Sequence, residues 1–342
     1  MTSAINWEVT DFKIQGNDFV LFSNGRMQVP ANVLIRAVNP VDSSVYTLTA
    51  AELARIQLID YYVPGRELAD GWKYTATEND FAHTMPGVKS AGHEENDVKN
   101  EQSKRYWVST TKVETKLIGT RIQQPNGIWI TTHSDHYDSH VTLRGSAAVH
   151  YNMNNVEFTR EDTDQGNDWD QDNYYLTSKV HPFKKSELSG YHSPNHPNLG
   201  MRNAMKFWGG PGTGKRSTFT HYIWEMGPTT RVDRGLTHYD DGSGTHKPHK
   251  VNMVINERPY AMCFTRLSIK GYPGYSQNWW YNSWLRILDI YGNSGDFNLP
   301  RVSHNHLELT SRNTVSVAGS PDDVVFCDDH IPEGDLMPHG HC

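Results

Sequence analysis

The sequence predicts a mainly β protein, built from sandwich or jelly-roll-like domains with one or two short helices. Short runs rich in Val, Ile, Thr and aromatic residues recur along the chain, and these residue types favour strands. Turns rich in Gly, Pro and Asn separate the runs. Many short strands broken by such turns are typical of sandwich and jelly-roll architectures.

Two Asn-Gly pairs predict hairpin turns, because this dipeptide readily adopts the positive φ angles that tight turns need. Asn24-Gly25 lies between two strand-like runs of residues 17–36, and Asn126-Gly127 separates the run from Tyr106 onwards from IWITTH. The clearest helix signal is Thr49, which is spaced to form a capping box with Glu52. We expect a helix of two or three turns there.

The 342 residues favour two domains. Residues 76–104 are polar and poor in branched apolar side chains, which is typical of a boundary or a long exposed loop. We therefore expect an N-terminal β domain with a short helix over 1–104 and a larger C-terminal β domain over 105–342. Within the second domain, residues 161–200 are rich in Asp, Asn, Pro and His and predict an irregular stretch.

Composition excludes several classes of protein. The net charge is −7 and the pI is about 6.2, with no basic stripe of the kind that neutralises phosphates, so we expect no nucleic-acid partner. No apolar run approaches the roughly 18 residues that span a bilayer. The N-terminus lacks the pattern of a secretory signal. We therefore expect the protein to be made in the cytoplasm. Its later release, to act outside the cell, stays open as an alternative.

The segment 209–215, GGPGTGK, resembles a phosphate-binding loop but lacks two of its requirements. The loop needs Ser or Thr directly after the Lys and a helix thereafter, whereas Arg216 follows Lys215 and the next run, STFTHYIWEM, reads as a strand. A helix N-terminus is what aims backbone N–H groups at phosphate. We therefore expect a glycine-rich turn and no bound nucleotide.

Closely spaced carboxylates are the best candidate for a metal site. Calcium takes six or more oxygen ligands, which Asp and Asn side chains on a loop can supply. The run EDTDQGNDWDQDN is not an EF-hand loop, and a solvated acidic loop is the alternative interpretation. The candidate calcium ligands are Asp162, Asp164, Asp168, Asp170 and Asp172.

The 18 histidines include a group in HSDHYDSH, namely His133, His136 and His140. Imidazole and carboxylate groups at short spacing can bind zinc and activate water. The helical H-E-x-x-H pattern is absent, so polar loop histidines are the alternative to a hydrolytic metal site.

Three cysteines do not make a disulfide framework. Cys263 and Cys327 lie in strand-like surroundings that are typical of buried structural thiols. Cys342 ends the chain and could crosslink two copies, so a homo-oligomer stays open.

The segment GYPGYSQNWWYNSW interleaves aromatic residues with Asn and Gln. Gly and Pro predict a loop, so some of its rings should be exposed and able to meet sugar rings or a membrane interface, whereas core packing is the alternative. The candidate ligand-binding residues are Tyr272, Tyr275, Trp279, Trp280, Tyr281 and Trp284.

These features lead to three functional hypotheses. The first is a non-enzymatic, lectin-like protein that binds a cell surface through glycans, because no serine lies in a nucleophile elbow and the loops are aromatic and rich in amides. The second is a membrane-associating or pore-forming toxin, whose Thr-rich strands at 106–122 and 216–224 could refold as membrane hairpins. The third is a metal-dependent hydrolase that uses the histidines of HSDHYDSH.

Overall fold

The structure is a computed structural model that describes residues 6–16, 18–87, 101–167, 169–189, 205–208, 217–240, 246–270, 284–303 and 306–312. These residues form mostly antiparallel sheets and a single short helix. The prediction of a mainly β, sandwich-like protein is confirmed.

The chain divides into two compact units. The first comprises Met1–Val149 with Tyr291–Asn293, and the second comprises His150–Ile290 with Ser294–Cys342. The domain boundary expected from sequence at residue 104 lies inside a strand of the first unit, Gln102–Thr110, which pairs with Val29–Val38.

The first unit contains two five-stranded sheets. Its described strands are β1 (Glu8–Gln15), β2 (Phe19–Phe22), β3 (Val29–Val38), β4 (Val45–Tyr46), β5 (Gln57–Asp60), β6 (Trp72–Thr75), β7 (Gln102–Thr110), β8 (Thr115–Gln123), β9 (Trp129–Thr131) and β10 (Val141–Ser146). One sheet has the order β1-β3-β7-β6, with β4 beside β3. The other has the order β2-β10-β8-β5, with β9 beside β8. The β2–β10 pair is parallel and the other pairs are antiparallel.

Apolar side chains from both sheets form the core of the first unit. Val33 and Ile35 of β3 are fully buried, as are Ile118 and Ile122 of β8. The strands β1 and β8 contact each other, as do β2 and β7, so the sheets face one another as in a sandwich. The Tyr106 hydroxyl of β7 donates to the carbonyl of Ile56 at 2.6 Å.

One of the two Asn-Gly turns closes a hairpin and the other does not. Asn126-Gly127 connects the antiparallel pair β8–β9, and Gly127 has a φ of 85°. Gly25 has a φ of 71°, but β2 and β3 enter different sheets, so the hairpin prediction at Asn24-Gly25 is wrong. The reason lies in Asn24, whose side-chain oxygen accepts from the amides of Arg26 and Met27 at 2.8 Å. With these two hydrogen bonds, the turn at Asn24 connects the two sheets instead of closing a hairpin.

The predicted capping box is confirmed, but its helix is shorter than expected. Helix α1 spans Ala50–Leu53, Thr49 accepts from the Glu52 amide, and Glu52 accepts from the Thr49 amide. The chain leaves the helix because Ile56 and Leu58 are buried in the sandwich, and β5 then pairs with β8. No helix among the described residues has the length and apolar character to cross a bilayer.

The second unit contains three sheets. Its described strands are β11 (Val156–Gln165), β12 (Trp169–Ser178), β13 (Phe183–Ser189), β14 (Met205–Trp208), β15 (Ser217–Ile223), β16 (Thr230–Asp240), β17 (His246–Ile255), β18 (Met262–Lys270), β19 (Trp284–Asp289), β20 (Ser294–Ser303) and β21 (His306–Ser311). The sheet orders are β11-β12-β18-β15-β14, β13-β19-β20-β21 and β16-β17. All of these pairs are antiparallel.

Side chains from β12, β15, β17 and β18 form one core of this unit. Tyr175, Tyr222, Met253 and Cys263 are fully buried members of this cluster, and burial raises the pKa of the Cys263 thiol to about 12. Cys263 is therefore a structural thiol, as the sequence predicted. The strand β19 is buried on both faces over residues 285–289.

Candidate functional site

The predicted aromatic site lies almost wholly outside the described residues. This applies to Tyr272, Tyr275, Trp279, Trp280 and Tyr281. Trp284 begins β19, where its backbone pairs with Ser189 and Asn298. The role of this segment in ligand binding stays a prediction.

The glycine-rich segment 209–215 also lies outside the described residues. Residues 217–223, which follow it, form the strand β15 between β14 and β18. The strand expected after Lys215 is thereby confirmed.

The acidic run forms paired strands, so the prediction of an irregular stretch or loop is wrong for the part that the structure describes. Asp162 of β11 lies opposite Asp172 of β12, and a bulge between Asp162 and Asp164 shifts the register. Asp168 lies outside the described residues. Paired strands form here because Asp172 in turn lies opposite Arg266 of β18, and cross-strand pairs of opposite charge stabilise a sheet.

Arginine side chains neutralise much of this acidic charge. Asp172 is fully buried and accepts from Arg160 Nη2 at 2.8 Å. Arg266 Nη1 donates to Asp172 and, at 3.2 Å, to Asp170. Farther along β11, Asp164 pairs with Arg231 at 3.2 Å. The hydrogen bond to Asp172 raises the pKa of Arg160.

Three of the five predicted calcium ligands come together. One ligand atom each from Asp162, Asp170 and Asp172 lies within 4.8 Å of the others. A calcium ion at this position would compete with Arg160 and Arg266 for the oxygen atoms of Asp172. Calcium binding at this position therefore stays a prediction.

The histidines of the hydrolase hypothesis do not assemble a set of metal ligands. Within the described part of the chain, the acidic group above is the one place where three such ligand atoms converge. His133, His136 and His140 are instead exposed members of the loop between β9 and β10. Two of them, His133 and His140, pack against Tyr61.

Tyr61 forms the centre of an aromatic surface cluster in the first unit. Its ring centroid lies 4.6 Å from that of His133, 4.8 Å from that of His140 and 5.4 Å from that of Tyr62. Its hydroxyl donates a hydrogen bond to Asp138. We call Tyr61, Tyr62, His133, Asp138 and His140 the tyrosine–histidine cluster.

The backbone after β5 positions the two tyrosines. The Tyr61 amide donates to the Leu117 carbonyl at 2.9 Å, so the pairing of β5 with β8 continues one residue beyond the strand. Asp60 then caps a turn, because its side chain accepts from the Tyr62 amide at 3.1 Å and pairs with Lys116 at 2.9 Å. Tyr62 is left 68% exposed.

Gly119 of β8 makes room for the Tyr61 ring. A Cβ at Gly119 would lie 2.7 Å from Thr132 Oγ1 and 3.3 Å from Tyr61 Cδ2. The first distance is shorter than real contacts allow, and the Thr132 hydroxyl is held because it accepts from the Thr120 amide at 2.9 Å. The ring therefore lies across a position of the sheet that carries no side chain.

The loop that carries the histidines is fastened to the sandwich. The Ser139 amide donates to the Thr132 carbonyl at 3.2 Å, and the Ser139 hydroxyl accepts from the Ile14 amide at 3.0 Å. The Tyr137 hydroxyl donates to the Val9 carbonyl at 2.8 Å. These bonds to β1 and to Thr132, just after β9, fasten the loop that carries the two imidazoles beside Tyr61.

Asp138 keeps Tyr61 in its neutral form. The hydrogen bond to the carboxylate, together with desolvation and charge repulsion, raises the pKa of Tyr61 to about 12. At neutral pH the phenol therefore keeps its proton and donates a hydrogen bond to Asp138. Sequence reasoning missed this tyrosine, although a Tyr-Tyr pair before Val-Pro-Gly at the end of a strand is a signal for exposed rings in a turn.

Comparisons with known proteins leave the function to be inferred from this geometry. No protein-family model matches the chain. No curated protein matches it either.

Proposed function

We propose that this protein is a non-enzymatic, lectin-like binder of cell-surface glycans and that the tyrosine–histidine cluster is its contact surface. The observation that carries the proposal is the arrangement around Tyr61. A half-buried tyrosine ring lies between two exposed imidazoles, and its hydroxyl is hydrogen-bonded to a carboxylate.

The residue types in the cluster suit a saccharide. Aromatic rings offer an apolar face to the apolar face of a sugar ring while their polar tips stay hydrated. Imidazole nitrogens donate hydrogen bonds to hydroxyl groups or accept them, and carboxylate oxygens accept them. A small number of polar groups around an apolar contact is the usual composition of a small-molecule site.

The cluster is also organised before any ligand arrives. The bonds that fasten Ser139 and Tyr137 fix the histidine loop, and Gly119 together with Asp138 sets the position of the Tyr61 ring. Groups that are already ordered lose less conformational entropy on binding, which favours affinity.

A glycan array tests the proposal with native protein and with two variants. Tyr61→Ala and Tyr62→Ala each remove a ring from the cluster, whereas Tyr260→Ala removes a ring that is 63% exposed in the second unit. We expect the native protein and Tyr260→Ala to bind the same glycans. We expect the two cluster variants to lose roughly tenfold or more in affinity, since burying a large side chain is worth about 1.5–3 kcal/mol.

The array is run in calcium and again in EDTA. Binding that requires calcium, and that Asp162→Asn abolishes, would support the predicted calcium site. No binding in either buffer would contradict the lectin proposal, and so would equal binding by native protein and both cluster variants.

Two cheap measurements separate the other hypotheses. Dye release from liposomes, accompanied by oligomers on a sizing column, is the result that the toxin hypothesis predicts. In this structure, β7 and β8 of the 106–122 region pair into different sheets, so membrane hairpins would require both sheets to open. The hydrolase hypothesis predicts a stoichiometric transition metal in the purified protein.

A further inference from the structure

Arg121 lies on the same face of the sheet as the tyrosine–histidine cluster. It follows Gly119 by two residues on β8, and residues two apart on a strand point to the same face. The rise of a strand puts the two Cα atoms roughly 7 Å apart. The Tyr61 ring occupies the space in front of Gly119, so Tyr61 and Arg121 are neighbours on this face.

The guanidinium of Arg121 is held in a defined position. Its Nε donates to Gln57 Oε1 at 2.8 Å and its Nη1 donates to the Pro64 carbonyl at 3.2 Å. Its central carbon lies 4.4 Å from the centroid of the Trp129 ring, which is 43% exposed. Both hydrogen-bond acceptors are neutral oxygens.

Arg121 differs in this respect from arginines that form ion pairs with carboxylates. Arg66 pairs with Asp70 at 2.6 Å and Arg286 pairs with Asp296 at 2.7 Å. No described carboxylate forms an ion pair with Arg121. An arginine has five N–H donors, and the two contacts above leave donors for an incoming group.

Two acidic groups, Glu67, which is linked to Arg121 through Gln57, and Asp138 of the cluster, already have hydrogen-bond donors. Glu67 accepts from the Tyr74 hydroxyl and from Gln57 Nε2. Asp138 accepts from the Tyr61 hydroxyl. The positive charge of Arg121 is therefore available to an external anion.

We propose that this face selects an anionic saccharide, whose negative group binds Arg121 while its sugar rings contact Trp129 and the tyrosine–histidine cluster. The proposal rests on the glycan-binding function proposed above and specifies the class of glycan. A guanidinium binds a carboxylate or a sulfate with two parallel hydrogen bonds. The ring contacts explain why the ligand is a saccharide and not a free anion.

Isothermal titration calorimetry tests the proposal with matched ligands. Sialyllactose is compared with lactose and with the methyl ester of sialyllactose, which keeps the sugar and removes the charge. A glucuronate-terminated and a sulfated oligosaccharide distinguish the chemical sources of the anion. The ester arm requires no variant, so it remains decisive if a substitution impairs folding.

Arg121→Gln removes the charge, and Arg105→Gln is the matched control. Arg105 also donates from Nε to an amide oxygen, that of Asn32 at 2.9 Å, but it lies on β7 in the other sheet. We expect Arg121→Gln to lose about 10- to 100-fold in affinity for the anionic ligands, because a hydrogen bond to a charged group has that effect. We expect Arg105→Gln to bind like the native protein.

Each other outcome contradicts a specific claim. Equal affinity for an anionic ligand and its neutral counterpart overturns the anionic specificity while the glycan-binding function stands. Unchanged affinity in Arg121→Gln overturns the role of Arg121. Absence of binding to every saccharide, charged and neutral, overturns both the specificity and the function beneath it.

Discussion

The Tyr61 hydroxyl donates a hydrogen bond to Asp138, and this contact joins two segments that are 77 residues apart in the chain. Tyr61 follows β5 and Asp138 lies in the loop between β9 and β10. The bond therefore couples the position of the tyrosine ring to that of the loop that carries His133 and His140. The surface that we propose for glycan binding depends on this coupling.

The first prediction concerns the ionisation of Tyr61. Its pKa of about 12 exceeds the value of about 10 for an unfolded tyrosine, so the folded state holds the phenol proton more tightly. The contribution of this pKa shift to the free energy of unfolding is fully present below pH 10 and is lost as the pH rises towards 12. An NMR titration of labelled tyrosine, assigned with Tyr61→Phe, should show a lower pKa in Asp138→Asn. An ordinary tyrosine pKa for Tyr61 in the native protein would contradict the assignment.

The second prediction concerns Gly119. Gly119→Ala would place a Cβ 2.7 Å from Thr132 Oγ1 and 3.3 Å from Tyr61 Cδ2, so the ring and the hydroxyl must move. We expect the free energy of unfolding to fall by about 1–3 kcal/mol and the glycan affinity to fall with it. The control is Gly65→Ala, where a Cβ would have no neighbour within 4 Å. Urea unfolding measures both variants. An equal loss in the free energy of unfolding for the two substitutions would contradict the close packing around Gly119.

The third prediction concerns the buried carboxylate of Asp172. Asp172→Asn removes the charge that Arg160 and Arg266 share, and breaking a buried ion pair costs about 3–5 kcal/mol. Asp164→Asn breaks the more exposed pair with Arg231 and should cost about 1 kcal/mol or less. Chemical denaturation of both variants measures the difference. A loss at Asp172 no greater than at Asp164 is the result that would refute this account.

The fourth prediction concerns a buried hydrogen-bond chain in the second unit. Trp224 Nε1 donates to Thr265 Oγ1 at 2.8 Å, and that hydroxyl donates to Asn173 Oδ1 at 2.6 Å. Thr265→Val keeps the shape but removes both bonds, which should cost about 1–3 kcal/mol. Thr10→Val, at an exposed site of β1 with a bond of 3.4 Å, should cost about 0.5 kcal/mol or less. Thermal melting compares the two, and a stable Thr265→Val would show that the chain is dispensable.

Local chemistry predicted part of the fold well. The reciprocal bonds of Thr49 and Glu52 involve groups three residues apart, and the turn at Gly127 joins strands that are adjacent in sequence. Such features depend on residues close together in the chain. Asn24-Gly25 misled because β2 and β3 do not pair with each other: β2 pairs with β10, far along the chain, and β3 lies between β1 and β7.

The candidate site was less predictable, because its parts meet only in the folded chain. The acidic run of residues 161–172 reads as a loop until Arg266, nearly a hundred residues later, is placed opposite Asp172. Tyr61 and His133 are likewise ordinary surface residues until β8 brings β5 and β9 to its two sides. Long-range pairing of this kind leaves no local periodicity to detect.

Hydroxyl-radical footprinting tests the central claim most directly. The native protein is labelled with and without the glycan that binds most tightly on the array, and oxidation is quantified for each residue. We predict protection of Tyr62, His133 and His140, with unchanged labelling of Tyr260 in the second unit. Protection confined to residues 272–284, or to any surface other than the tyrosine–histidine cluster, would contradict the account.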